Sequence, residues 1–320
     1  FKFLMRMERL EFREALEHLA ERAGIPMTRG RSGASGARKA DFHKALNWAA
    51  DRYRDYLQSS PDARAAREYL TTRGLTEDTI QRFGLGFAPD SWDWLLKEAS
   101  AAGIGTDILA ATGMAVERQD ASGHYDRFRG RIIFPIRDPM SRCVAFGGRV
   151  LPEAKSDAKS DPAKYINSPE TEFYKKGKIL FNLDKARTSK FKTDEVVIVE
   201  GYMDVIALEQ AGIKASVAPL GTALTETQIS LLWRMSPEPI LCFDGDEAGI
   251  RAAKRAAERA LPLLKPGYSL RFVNLPAGED PDTLIKGRGG DYMEELLNNA
   301  RPLDNIIWDL ETAGIDLDTP

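Results

Sequence analysis

An α/β chain is predicted, with a parallel sheet flanked by helices in its second half and a mixed α+β region before it. Three observations carry this reading. From residue 196 short apolar runs alternate with helical patterns, the order that builds parallel β-α-β units. Between residues 131 and 150 two runs of strand type are separated by a turn. Upstream of them, apolar residues recur at helical spacing. A length of 320 residues suits two domains.

The elements follow in order. Leu10, Ala15, Leu16, Leu19, Ala20 and Ala23 fall close to helical spacing, and Gly24 and Pro26 end that run, so residues 1–27 read as one amphipathic helix unable to fold alone. Residues 28–40 are rich in Gly, Ser and Arg, lack apolar periodicity and read as a flexible linker. Residues 41–58 and 61–73 read as helices, the second opening on Pro61-Asp62 and stopping at Arg73-Gly74. Residues 131–136 and 144–150 read as strands around the turn Asp138-Pro139-Met140-Ser141. Residues 151–162 are a polar loop, and residues 164–178 mix aromatic, basic and turn residues without a clear period. Strands are then expected at 196–199, 216–218, 240–243 and 270–275, with helices at 203–211 and 247–264. Thr225-Glu226-Thr227-Gln228 has capping-box spacing and opens a further helix. Residues 291–299 and 302–313 read as helices.

Composition narrows the function classes. No apolar run approaches the roughly 18 residues of a membrane span. Cys143 and Cys242 are the only cysteines and lie in strand-like runs, which suggests buried reduced thiols and the cytoplasm. His18, His43 and His124 share no motif, so no zinc site is expected within this stretch. The chain opens on Phe1 with no signal-peptide architecture and reads as an excised or processed piece. The net charge of −3 hides an asymmetry: residues 126–192 carry 16 basic and 8 acidic side chains, residues 193–320 carry 11 and 22. A basic block beside an acidic one suggests a polyanion partner.

The acidic block is organised. Glu200 and Asp204, Asp244 and Asp246, and Asp280 and Asp282 form three clusters, each following an apolar strand-type run. Parallel α/β sheets bind ligands at the carboxyl ends of their strands, so the three clusters are expected to converge there. Each cluster alone could be a turn or a helix cap. Together they would repel one another unless cations lay between them, and carboxylates without His or Cys select Mg²⁺ or Mn²⁺. Gly245 is expected to remove a side chain that would crowd such an ion. Two ions about 3.5–4 Å apart can activate an attacking oxygen and stabilise a leaving one.

Val-Glu-Gly-Tyr-Met-Asp-Val, Pro-Leu-Gly-Thr-Ala-Leu-Thr, Phe-Asp-Gly-Asp-Glu-Ala-Gly and Gly-Glu-Asp-Pro-Asp-Thr-Leu together resemble the TOPRIM domain of bacterial DNA primases. The similarity extends upstream through Asp126-Arg127-Phe128-Arg129, Gly147-Gly148-Arg149, Lys164-Tyr165-Ile166-Asn167 and Lys176-Gly177. The resemblance implies a C-terminal helix remnant of a zinc-binding domain (1–27), a linker (28–40), a basic N-terminal subdomain (41–177), a TOPRIM domain (178–300) and the start of a helical subdomain (301–320). It implies that Glu200, Asp244 and Asp246 are the central catalytic acids, with Asp204, Asp280 and Asp282 completing a Mg²⁺ or Mn²⁺ site of two or more ions. Arg73, Arg127, Arg129, Arg149, Lys164, Asn167 and Lys176 would lead the DNA template and nucleotides to them. The implied activity is RNA primer synthesis on single-stranded DNA from ribonucleoside triphosphates, by a bacterial, cytoplasmic, monomeric core. The replicative helicase would be met through a C-terminal domain absent here, and zinc would belong only to the missing N-terminal domain. The other readings are a TOPRIM topoisomerase or nuclease, a non-catalytic recombination mediator that binds DNA, and a phosphatase with an Asp nucleophile. Nothing marks Tyr202 as the nucleophile of the first, and Ala248 stands where the last usually has Thr or Val.

Overall fold

A computed structural model of the chain describes residues 2–7, 12–22, 33–119, 122–152, 162–188 and 195–312. The chain forms two compact units, one of Leu16–Lys175 and one that joins Phe1–Ala15 to Lys176–Pro320. The helical pattern within residues 1–27 gives α1 (Lys2–Met7) and α2 (Phe12–Arg22); Leu10 and Ala23 lie outside the described residues. α3 (Gly33–Ser59) starts inside the expected linker, so that expectation is corrected for residues 33–40, while residues 28–32 lie outside the described ones. Ala34, Ala37, Arg38, Lys39 and Ala40 are strong helix formers. Extending an existing helix needs no new nucleus, which offsets a cost of about 1 kcal/mol for each of Gly33 and Gly36.

In the first unit a 3₁₀ turn at Pro61–Ala63 leads into α4 (Arg64–Thr72), which ends where Gly74 takes φ +76°. Then come α5 (Glu77–Phe83), β1 (Gly86–Ala88), α6 (Trp94–Ala101), α7 (Thr106–Ala111), β2 (Ala115–Glu117) and β3 (His124–Asp126). β4 (Arg131–Arg137) and β5 (Cys143–Val150) form an antiparallel hairpin, and β6 (Tyr165–Asn167) follows. The Asp138 carboxylate closes the hairpin turn by accepting N–H groups of Met140 (2.9 Å) and Arg142 (3.0 Å). The sheet order is β1-β4-β5-β6, all antiparallel. α3 packs closely on β1: a Cβ on Gly86 would lie 2.6 Å from that of Tyr53. Tyr53, Leu95, Leu109, Phe128, Ile133 and Phe146 fill the core of this unit.

The second unit begins with a 3₁₀ turn at Lys176–Lys178 and α8 (Leu183–Thr188). It continues as β7 (Val197–Ile198), α9 (Tyr202–Gln210), β8 (Ser216–Val217), α10 (Glu226–Trp233), β9 (Ile240–Phe243), α11 (Glu247–Ala260) and β10 (Arg271–Asn274). α12 (Pro281–Arg288), α13 (Gly290–Asn298), β11 (Arg301–Pro302) and α14 (Leu303–Thr312) complete it. The expected capping box holds α10: Thr225 Oγ1 accepts the Gln228 N–H at 3.2 Å, and Gln228 Oε1 accepts the Thr225 N–H at 2.9 Å. The sheet order is β11-β10-β9-β7-β8, parallel except for β11. Residues 301–312 do not begin a separate body. β11 pairs with β10, and Leu303 and Ile306 of α14 join the same apolar core as Ile198, Leu241 and Phe272. Apolar α14 residues that would otherwise face water bury against the sheet's helices. Cys143 and Cys242 are buried free thiols, and no described helix is long and apolar enough to cross a membrane.

Candidate active site

β7, β9 and β10 are neighbours running in one direction, so their carboxyl ends lie side by side. Each acidic cluster leaves one of these ends. Glu200 Oε1 accepts the backbone N–H of Asp244 at 3.2 Å, which ties the β7 cluster to the β9 cluster. Asp204, in the first turn of α9, is 8% exposed; its Oδ2 accepts the Gly201 N–H at 3.0 Å, and its carboxylate also accepts the Asp282 N–H. Asp246 Oδ1 caps α11 through the Gly249 N–H at 2.8 Å, and Asp280 Oδ1 caps α12 through the Thr283 N–H at 2.7 Å. Asp282 is 1% exposed and paired with Lys286 at 2.8 Å.

The group is electrostatically loaded. Burial, then the charges of Asp280 and Asp282, push Asp204 up to about 7. Burial, then Asp204 and Glu200, push Asp244 up to about 7 as well. Glu200 is raised by burial, with Asp246 adding to it. Asp244 Oδ1 is buried without a hydrogen-bond partner among the described residues.

Glycine lets the loops carrying these acids meet. Gly245 N–H donates to Glu279 O at 2.9 Å, and Gly278 N–H donates to Gly245 O at 3.0 Å. A Cβ on Gly245 would run into the Pro276 carbonyl, and one on Gly249 into the Asp244 carbonyl. Gly245 is therefore needed for backbone contact, not to spare an ion from crowding as the sequence suggests.

The other expected residues lie mainly in the first unit. Opposed residues of neighbouring strands share a face, so the pairs Arg149↔Tyr165 and Gly147↔Asn167 place Arg149, Tyr165 and Asn167 together on one. Arg149 is 8% exposed; it donates to Tyr165 Oη at 2.7 Å, and its guanidinium lies 5.2 Å from the ring centres of both Tyr69 and Tyr165. No carboxylate pairs with it among the described residues. A buried, aromatic-clamped cation without an acid partner is suited to an external anion. Lys164 is exposed beside Tyr165, with Nζ 6.0 Å from its ring centre. Arg127 is half-buried, and Arg129 stacks on Trp92 at 3.8 Å. Arg73 ends α4. Lys176 belongs to the second unit, where its carbonyl accepts from Gln228 Nε2 at 3.1 Å.

Residues 52–187 match the family model of the DNA primase catalytic core, N-terminal domain, and residues 194–274 that of the Toprim domain. The chain is 44% identical over 312 residues to the DNA primase of Pseudomonas aeruginosa, covering 96% of this chain and 46% of that one. It is 41% identical over 325 residues to the DNA primase of Escherichia coli K12, covering 99% and 54%. Among solved structures, a DnaG primase catalytic domain bound to single-stranded DNA superposes with a TM-score of 0.80 at 40% identity, covering 89% of this chain and 86% of that one. The chain belongs to the DnaG-type DNA primase family. It spans about half the length of the curated relatives it matches.

In this primase core the fold brings all six acids to one sheet edge but does not close them around a point. No three Asp, Glu, His or Cys side chains among the described residues stand close enough to hold one ion. The donor set nevertheless fits hard cations: it is all carboxylate, it is mutually repelling, and it includes the unpartnered buried Asp244 Oδ1. The primase motif Asp126-Arg127-Phe128-Arg129 also has a structural member the sequence does not disclose. Asp126 is 2% exposed and caps α6 by accepting the N–H groups of Leu95 (2.6 Å) and Leu96 (3.1 Å), while burial raises it to about 6. Tyr69, one jaw of the Arg149 clamp, carries no sequence signal, since only the packing of α4 brings it there.

Proposed function

We propose that this chain synthesises RNA primers on single-stranded DNA, joining ribonucleoside triphosphates with release of pyrophosphate. The observation that carries the reading is the raised, partly unpartnered acid group at the ends of β7, β9 and β10. Glu200, Asp204, Asp244, Asp246 and Asp280 would hold divalent cations, Mg²⁺ or Mn²⁺, with the Asp282 N–H donating to Asp204 and the Asp282 carboxylate engaged by Lys286. Such ions supply the charge that steadies an attacking hydroxyl and a departing pyrophosphate.

The chain's own groups do the rest. Arg149 and Lys164 hold phosphates, Tyr165 and Asn167 meet bases, and Arg73, Arg127 and Arg129 extend the cationic surface of the first unit, while Lys176 contributes a cation from the second. Glu200, raised by burial, is suited to take the proton from the attacking hydroxyl. A topoisomerase reading lacks a nucleophile at Tyr202, which is 6% exposed, its ring packed edge-on against Phe181 at 4.8 Å. The helicase would be met through regions outside this chain, in the bacterial cytoplasm.

The test is primer synthesis on a single-stranded template with Asp244→Ala and Asp246→Ala. Both variants should make no primer while keeping the wild-type circular dichroism spectrum. Full activity in either would overturn the assignment.

A further inference from the structure

The capping box of α10 does more than close a helix. The box itself uses two acceptors: Thr225 Oγ1 takes the Gln228 N–H, and Gln228 Oε1 takes the Thr225 N–H. The Thr225 hydroxyl hydrogen and the Gln228 amide hydrogens are left over. All of them reach one target, the 3₁₀ turn at Lys176–Lys178 and the residue after it. The Thr225 hydroxyl donates to Gly177 O at 2.6 Å. Gln228 Nε2 donates to Lys176 O at 3.1 Å and to Ile179 O at 2.8 Å. Gln228 is fully buried, so water does not stand in for these bonds. A Cβ on Gly177 would lie 3.1 Å from Thr225 Cγ2, so the turn is seated directly on the helix start. A Glu in place of Gln228 would cap α10 equally well, but it has no hydrogens for the two carbonyls.

The turn lies on the edge that carries the acids. Phe181 forms an antiparallel bridge to Ala218, the residue after β8, its N–H donating to Ala218 O at 2.8 Å. Asn182 Nδ2 donates to Ser216 O at 2.9 Å. The chain here therefore runs against β8, and the residues before Phe181 lie toward the carboxyl end of that strand. The Phe181 ring packs edge-on against Tyr202, two residues after Glu200, at 4.8 Å. Lys176 is thus carried past the carboxyl ends of the sheet. A lysine ammonium sits on a flexible four-carbon stem, so its place is only as well defined as the backbone beneath it.

We propose that Thr225 and Gln228 are positioning residues for primer synthesis. Through the main chain of residues 176–179 they fix where Lys176 presents its charge to a nucleoside triphosphate. The inference rests on reading Lys176 as a phosphate-binding cation of a primer synthase, and adds the device that holds it.

The test is steady-state primer synthesis by the 320-residue chain at varied ribonucleoside triphosphate concentration, with a melting curve for each variant. Thr225→Asp keeps an N-cap acceptor but, ionised, has no hydrogen for Gly177 O. It should raise KM about five-fold with kcat within about two-fold of wild type, whereas Thr225→Ser should keep both within about two-fold. Gln228→Glu, which keeps its half of the box, should raise KM likewise. Lys176→Ala should raise KM about ten-fold, and adding Thr225→Asp to it should change KM by less than about two-fold, because no cation remains to be positioned. Thr225→Asp with wild-type KM, or with only kcat and the melting midpoint lowered, would overturn the inference and leave the primase reading standing. An undiminished effect of Thr225→Asp in the Lys176→Ala background would overturn it too, since it marks direct repulsion by the new carboxylate. Lys176→Ala with wild-type KM would do the same by leaving nothing to position. A wild-type chain that makes no primer would remove both the inference and the reading beneath it.

Discussion

Asp204 holds a carboxylate where water hardly reaches, with Asp280 and Asp282 adding like charge, so the free chain is strained by its own anions. Its pKa is raised from an unfolded value near 3.8 to about 7. Stability linked to it is fully present below the unfolded value and is lost as pH rises through the folded one. Without divalent ions the thermal midpoint should therefore fall between about pH 4 and 7. Asp204→Asn should flatten that slope and stabilise the metal-free chain at pH 8 by about 2 kcal/mol, the repulsion relieved less the hydrogen bond weakened at Gly201. Thermal melts at a series of pH values check this; an Asn variant less stable than wild type at pH 8 would contradict it. The acids themselves were legible as residues because each follows an apolar run. Their unequal duties were not. Asp246 and Asp280 also cap helices and Asp282 is paired with Lys286, and these depend on rotamers that no spacing encodes.

At the scale of elements, the ends of β9 and β10 are held together by main-chain bonds across Gly245. Gly245→Ala should press a methyl group into the Pro276 and Leu275 carbonyls and cost about 2 kcal/mol or more, within the range of overpacked sites. Because Gly245 lies between Asp244 and Asp246, the variant should also lose primer synthesis before it loses its fold. Activity at wild-type level with an unchanged melting midpoint would count against this. The strands of the parallel sheet and the α10 capping box were readable from apolar runs and from one four-residue motif. The start of α3 was not, because Gly33 and Gly36 look like linker while a long helix downstream carries them along. β11 was missed since two residues paired to β10 leave no pattern.

For the molecule as a whole, the excess of positive charge in residues 126–192 and of negative charge in residues 193–320 anticipates a polyanion handler beside a cation site. The order of the units was visible in the change from helical to alternating patterns. That residues 301–312 share the core of the sheet unit was not, because sequence shows an apolar helix face without showing what covers it. The central claim is that the acids at the ends of β7, β9 and β10 share divalent ions. Electron paramagnetic resonance of Mn²⁺ titrated into the wild-type chain and into Asp244→Asn tests it most directly. The account predicts saturable binding at millimolar or lower Mn²⁺ in the wild type, with a rise in melting midpoint at pH 8, and loss of both in the variant. Wild type that leaves all Mn²⁺ free, or an Asn variant that binds it equally well, would contradict the account.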